Sequence, residues 1–97
     1  MGQMAKVGRT ATSKRQEDGW TVIKYHQTDV VSFNKNLIIL DTGGWYTATT
    51  KTRMNQASNE YGLGYQVYQE KGKWFVVHKN QLISFDKSAL VIKRQEG

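Results

Sequence analysis

The residues best suited to chemistry fall in one stretch, Thr42-Gly43-Gly44-Trp45-Tyr46-Thr47-Ala48-Thr49-Thr50-Lys51-Thr52-Arg53-Met54-Asn55, where a Gly-Gly turn leads into a Thr-rich segment. Five Thr occupy positions 42, 47, 49, 50 and 52, with Lys51 and Arg53 interleaved. If a helix starts here, with Thr49 or Thr50 as its cap, hydroxyls surround its unpaired backbone N–H groups. The two cations then stand where the helix dipole disfavours them by about 0.3 to 1 kcal/mol each. An anion at that end reverses the balance: a phosphate takes N–H and hydroxyl bonds while Lys51 and Arg53 neutralise it. The plain structural reading is that Thr serves as strand residue and cap while the cations face water. The candidate ligand residues are Thr49, Thr50, Lys51 and Arg53, with His26 and one ring of the Trp45-Tyr46 pair beside them. In an extended segment those two rings point to opposite faces, so one is inside and the other is free to stack on a base or nucleotide.

Other chemistries lack their residues. The G-x-x-x-x-G-K-[ST] spacing of a phosphate loop is absent, and Gly62-x-Gly64 has no strand–turn–helix unit around it. His26 and His78 are isolated at predicted strand ends, no Ser/His/Asp order is recognisable, and Asp29, Asp41, Glu60, Glu70 and Asp86 show no paired spacing. With no Cys and two separated His, a structural metal site has no ligand set. The expectation is a protein that is not an enzyme, with no catalytic residues, no metal and no cofactor.

The elements that must position these residues are mostly strands. In 97 residues, 38% apolar with 11 aromatic side chains, there is room for one core. From Trp20 onward, short β-branched and aromatic runs alternate with turn residues, predicting strands at 20–26, 29–34, 37–41, 64–69, 74–78, 82–85 and 89–93. The joints at Gln27-Thr28, Lys35-Asn36, Lys71-Gly72, Lys79-Asn80 and Lys87-Ser88 are short enough for hairpins. The non-β segment with Met54, Ala57 and Tyr61 at helical spacing predicts one short helix at 50–59, lying on a sheet face and leaving through Gly62. The fold class is mainly β: an antiparallel meander or small barrel-like sheet of about six to seven strands with one short α-helix. Residues 1–18, poor in large apolar side chains, read as a flexible basic arm, and 19–97 as the single domain. A weak echo relates Val30-Val31-Ser32-Phe33-Asn34-Lys35 to Leu82-Ile83-Ser84-Phe85-Asp86-Lys87, which would make the domain two three-stranded meanders.

At Tyr25-His26-x-Thr28-x-Val30-Val31, Gly43-Gly44-Trp45-x-Thr47-x-Thr49-Thr50-Lys51-x-Arg53-Met54-Asn55 and Gly64-Tyr65-x-Val67-Tyr68-x-x-x-Gly72-x-Trp74-Phe75-Val76, the chain resembles small proteins of tailed bacteriophages. The resemblance spans about residues 20–77 and implies no particular activity. It implies presence in the cytoplasm of an infected bacterial cell and a task such as binding a host protein, a nucleic acid or a nucleotide-like signal.

Three functions follow as expectations. The first is a non-catalytic binder of a host component or of a phosphorylated or nucleotide ligand, acting through the Thr/Lys/Arg surface. The second is a weakly sequence-specific nucleic-acid-binding module, in keeping with 14 Lys and Arg against 8 Asp and Glu. Against it, the 10 basic residues of 19–97 are scattered among 6 acids. The third is a virion structural protein. No apolar run approaches the roughly 18 residues of a membrane helix, so no membrane partner is expected. Open sheet edges leave a homo-oligomer available.

Overall fold

In a computed structural model of the protein, which describes residues 12–44 and 46–94, eight strands and one helix follow in the order β1 (Thr12–Glu17), β2 (Trp20–Tyr25), β3 (Thr28–Phe33), β4 (Leu37–Asp41), α1 (Ala48–Tyr61), β5 (Tyr65–Glu70), β6 (Lys73–His78), β7 (Gln81–Ser84) and β8 (Ala89–Lys93). They form a five-stranded sheet ordered β1-β2-β3-β4-β8 and a three-stranded sheet ordered β5-β6-β7, antiparallel throughout. The mainly β reading with one helix holds; the strands divide between two sheets and do not close into a barrel.

Turn chemistry sets the hairpins. Asp18-Gly19, Lys71-Gly72 and Lys79-Asn80 each place two residues at positive φ between paired strands, the geometry whose twist matches the flanking strands. Alternation then chooses the inner face. Ile23 pairs with Val31, Val31 with Leu40, Phe33 with Ile38 and Ile38 with Ile92, all buried. From the second sheet come Tyr65, Val67, Trp74 and Val76, and from α1 come Met54 and Ala57. A bulge after Ile23 leaves Val30 without an opposite residue, so Val30 and Val31 are both buried although adjacent.

Four expectations change. Residues 12–17, read as part of the arm, form β1, and residues 1–11 lie outside the described part. Apolar periodicity could not reveal β1, because five of its six residues are exposed; it is held by the ladder to β2 and by Lys14, which meets Glu60 of α1 at 2.7 Å. The helix is longer than 50–59, since Thr47 is the cap and neither Thr49 nor Thr50 is: the Thr50 N–H donates to Thr47 Oγ1 at 3.2 Å. The Lys87-Ser88 joint is a crossover between sheets and makes no hairpin, because β8 pairs with β4. The two echoing segments therefore do not build matching meanders: β3 sits beside β4, whereas β7 and β8 lie in different sheets.

The helix does more than cover the core. Ser58 Oγ donates to Tyr65 O at 2.7 Å and accepts from Tyr65 N at 3.1 Å, while Asn55 donates to Val67 O at 2.9 Å and accepts from Val67 N at 2.8 Å. Two polar side chains three residues apart thus take the outward backbone groups of Tyr65 and Val67 in β5, as a neighbouring strand would. Gly62 ends the helix in the left-handed conformation at φ 64.

Candidate functional site

The β4–α1 connection is tied down by its own side chains. Asp41 Oδ1 accepts from Gly43 N at 2.8 Å, Thr42 Oγ1 accepts from Gly44 N at 3.0 Å, and Thr42 N donates to Ser88 O at 2.7 Å. Thr47 then caps α1, its hydroxyl donating to Thr50 Oγ1 at 3.1 Å while its carbonyl receives Lys51 N at 3.1 Å. Across from this start stands the β2–β3 turn, where His26 has φ 58 and its ring centroid lies 4.3 Å from that of Tyr25. Between them opens a cavity of about 390 Å³, walled by Tyr25, His26, Gln27, Thr28, Val30, Thr42, Thr47 and Thr50. That volume suits a small-molecule ligand. The described wall has four hydroxyls from Thr, an imidazole and a phenol ring, and no carboxylate.

Arg53 lies one helical turn beyond Thr50, with its guanidinium carbon 5.5 Å from the centroid of Tyr25. Its Nη1 donates to Gln56 Oε1 at 3.1 Å, but its Nε is buried and meets no acceptor. The ion pairs among the described residues are Lys14–Glu60, Arg15–Glu17 and Arg15–Asp29, all anchored on β1. Arg53 is not among them. The first turn of α1 carries no acid, so no carboxylate of the helix itself offsets its N-terminal partial charge. At the other end Lys14 reaches Glu60, and that hydrogen bond holds the Lys14 ammonium above its ordinary range.

The expected site residues separate. Thr50 and His26 line the cavity and Arg53 flanks it through Tyr25. Thr49 is exposed outside it. Lys51 turns the other way, its Nζ 5.9 Å from the Trp74 ring centroid, and Tyr46 stands edge-on to Trp74 at 5.2 Å. Tyr46 lines a second, open depression of about 450 Å³ shared with Lys73, Trp74, Ser84 and Asp86, and Lys51 stands over the Trp74 ring beside it. Trp45 lies outside the described residues. Helical rotation of about 100° per residue explains the division: positions 50 and 53 share a face with Met54 and Ala57, and 51 does not. Tyr25 and Thr28 are not among the candidates read from the sequence, where Thr42 and Thr47 enter only as members of the Thr-rich stretch. A hairpin tip carrying Tyr-His-x-Thr beside a Thr-rich helix start is the pattern that marks them.

Among the described residues no group of three His, Asp or Glu could hold a metal ion, and no helix is long and apolar enough to cross a membrane. Fold and cavity together define, over the described residues, a small two-sheet antiparallel β protein with a mainly apolar recess, bordered by four threonines, at the start of α1. The family model described as Kyanoviridae Gp96 protein matches residues 2–91, and the chain belongs to that family of phage proteins. No curated protein and no solved structure matches it.

Proposed function

We propose that this phage protein binds, without transforming it, a small anionic ligand of nucleotide size in the recess between the β2–β3 turn and the start of α1. The carrying observation is Arg53: a cation with a buried, unbonded Nε and no carboxylate partner among the described residues, next to a cavity whose described wall holds no acid. An anionic group near Thr47 and Thr50 would gain the helix N-terminal field, hydroxyl bonds and the guanidinium together. Tyr25 and Val30 offer the apolar wall against which a planar base packs. A host macromolecule presenting the same group is a wider form of this reading, and nucleic acid is the competing one.

Calorimetric titration with inorganic pyrophosphate, mononucleotides and a single-stranded oligonucleotide tests it. A mononucleotide should bind the wild-type protein, and Arg53→Ala should weaken that binding about tenfold or more, the loss of one charged hydrogen bond. Thr50→Val should weaken it less, because Thr50 N remains capped by Thr47. Lys51→Ala should leave it unchanged. No binding of either free anion at millimolar concentration, or equal binding by Arg53→Ala, overturns the proposal; tight binding of the oligonucleotide alone favours the nucleic-acid reading.

A further inference from the structure

We infer that β7 is an interface edge that pairs with β7 of a second copy of this chain. The two-residue turn Lys79-Asn80 makes His78 and Gln81 the first hydrogen-bonded pair of the β6–β7 hairpin, and Phe85 N donates to Trp74 O at 3.0 Å at its other end. By alternation Ile83 also bonds inward, so the N–H and C=O of Leu82 and of Ser84 point away from the sheet. Among the described residues nothing meets these four groups. At the opposite edge of the same sheet, the outward groups of Tyr65 and Val67 are all taken by Ser58 and Asn55. The β5 edge of the three-stranded sheet is therefore closed by α1 at Tyr65 and Val67, and the β7 edge is open.

Among the described residues no helix covers this edge as α1 covers β5, an extended strand satisfies a row of alternating donors and acceptors, and a second copy fits this row. Gln81 to Ser84 carries no charge, proline or bulge, so antiparallel self-pairing brings no like charges together along the strand. The register with Leu82 opposite Ser84 of the second copy engages all four outward groups. Lys79, next to the edge, already donates to Arg94 O. Leu82 is 61% exposed and opposes Val77 on the outer face, where Tyr68 and Phe75 also pair, so two copies would continue one apolar surface. β8 also leaves outward groups, at Ala89, Val91 and Lys93, but it ends on Lys93, a charge of the kind that blunts an edge. A contact this short predicts a weak dimer in rapid exchange with monomer.

Sedimentation velocity over roughly 10 µM to 1 mM protein tests the inference with matched variants. The wild-type protein should shift from monomer toward dimer across that range. Leu82→Lys should stay monomeric, and Ser84→Pro, which removes an outward N–H without breaking the hairpin ladder, should do the same. Val91→Lys, at the similarly exposed Val91 (59%), should dimerise like wild type. Circular dichroism confirms that each variant is folded. A wild-type protein that is monomeric at every concentration overturns the inference, even if the edge accepts a strand from a different protein, as does a dimer lost in Val91→Lys and kept in Leu82→Lys.

Discussion

A methyl group at position 43 would lie 2.4 Å from Thr28 Oγ1, on a backbone already at φ +64. Gly43 thus lets the β4–α1 connection close against the cavity wall. Gly43→Ala should destabilise the fold by at least about 1–2 kcal/mol, measured by urea unfolding, and displace Thr28 at the recess. Adding Thr28→Ala should recover the steric part only. Gly44→Ala, with open space around it at φ +87, should show the backbone cost alone. Tyr65 gives the pH dependence. Burial pushes its phenol up, and its hydroxyl donates to Met54 O at 2.6 Å. The unfolded chain releases this proton near the ordinary tyrosine value of about 10, while the folded state holds it. Stability is therefore intact below about pH 10 and falls as pH rises beyond it. Tyr65→Phe should cost about 1 kcal/mol at neutral pH, the hydrogen bond, and flatten that alkaline fall. At this scale the sequence marked Thr50, His26 and Arg53 through type and spacing, but could not show that Lys51 parts from Arg53. That needs the helix phase, which the burial of Met54 and Ala57 fixes, with positions 51 and 53 about 200° apart around the axis.

The helix and β1 carry the testable claims at the level of elements. Asn55 and Ser58 act as a substitute strand for β5, so Asn55→Ala should leave the Val67 N–H and C=O unpaired and cost about 1–3 kcal/mol, seen as a lower unfolding midpoint and faster amide exchange at Val67. Removing residues 1–18 should also lower the midpoint, because β2 loses a full ladder and α1 loses the Lys14–Glu60 contact; residues 2–11 alone carry no such expectation. Strands with an apolar run were legible wherever they sit: Leu37–Asp41 inside the five-stranded sheet and Ala89–Lys93 at its edge fall where the apolar runs place them. What stayed hidden was pairing. An exposed edge strand such as β1 has no apolar period, and the short Lys87-Ser88 joint looks like a hairpin although Phe85 turns into the core and carries the chain to the other sheet.

At the scale of the molecule, the ion pairs among the described residues all involve β1, and the cations near the start of α1 take part in none of them. With basic residues scattered over turns, any nucleic-acid binding should be weak and electrostatic, log affinity falling with log salt at a slope of about 2 to 5, as fluorescence anisotropy would measure. A folded surface carrying net charge +6 accounts for such binding without a reading element. The recess is where selective recognition is expected. Its most direct test is mapping amide chemical-shift changes in the full chain during titration with a mononucleotide. Saturable shifts confined to residues 25–28, 42–44 and 47–53, and lost in Arg53→Ala, are the predicted result. Shifts centred on Tyr46, Lys73 and Asp86, or none at millimolar ligand, would contradict it.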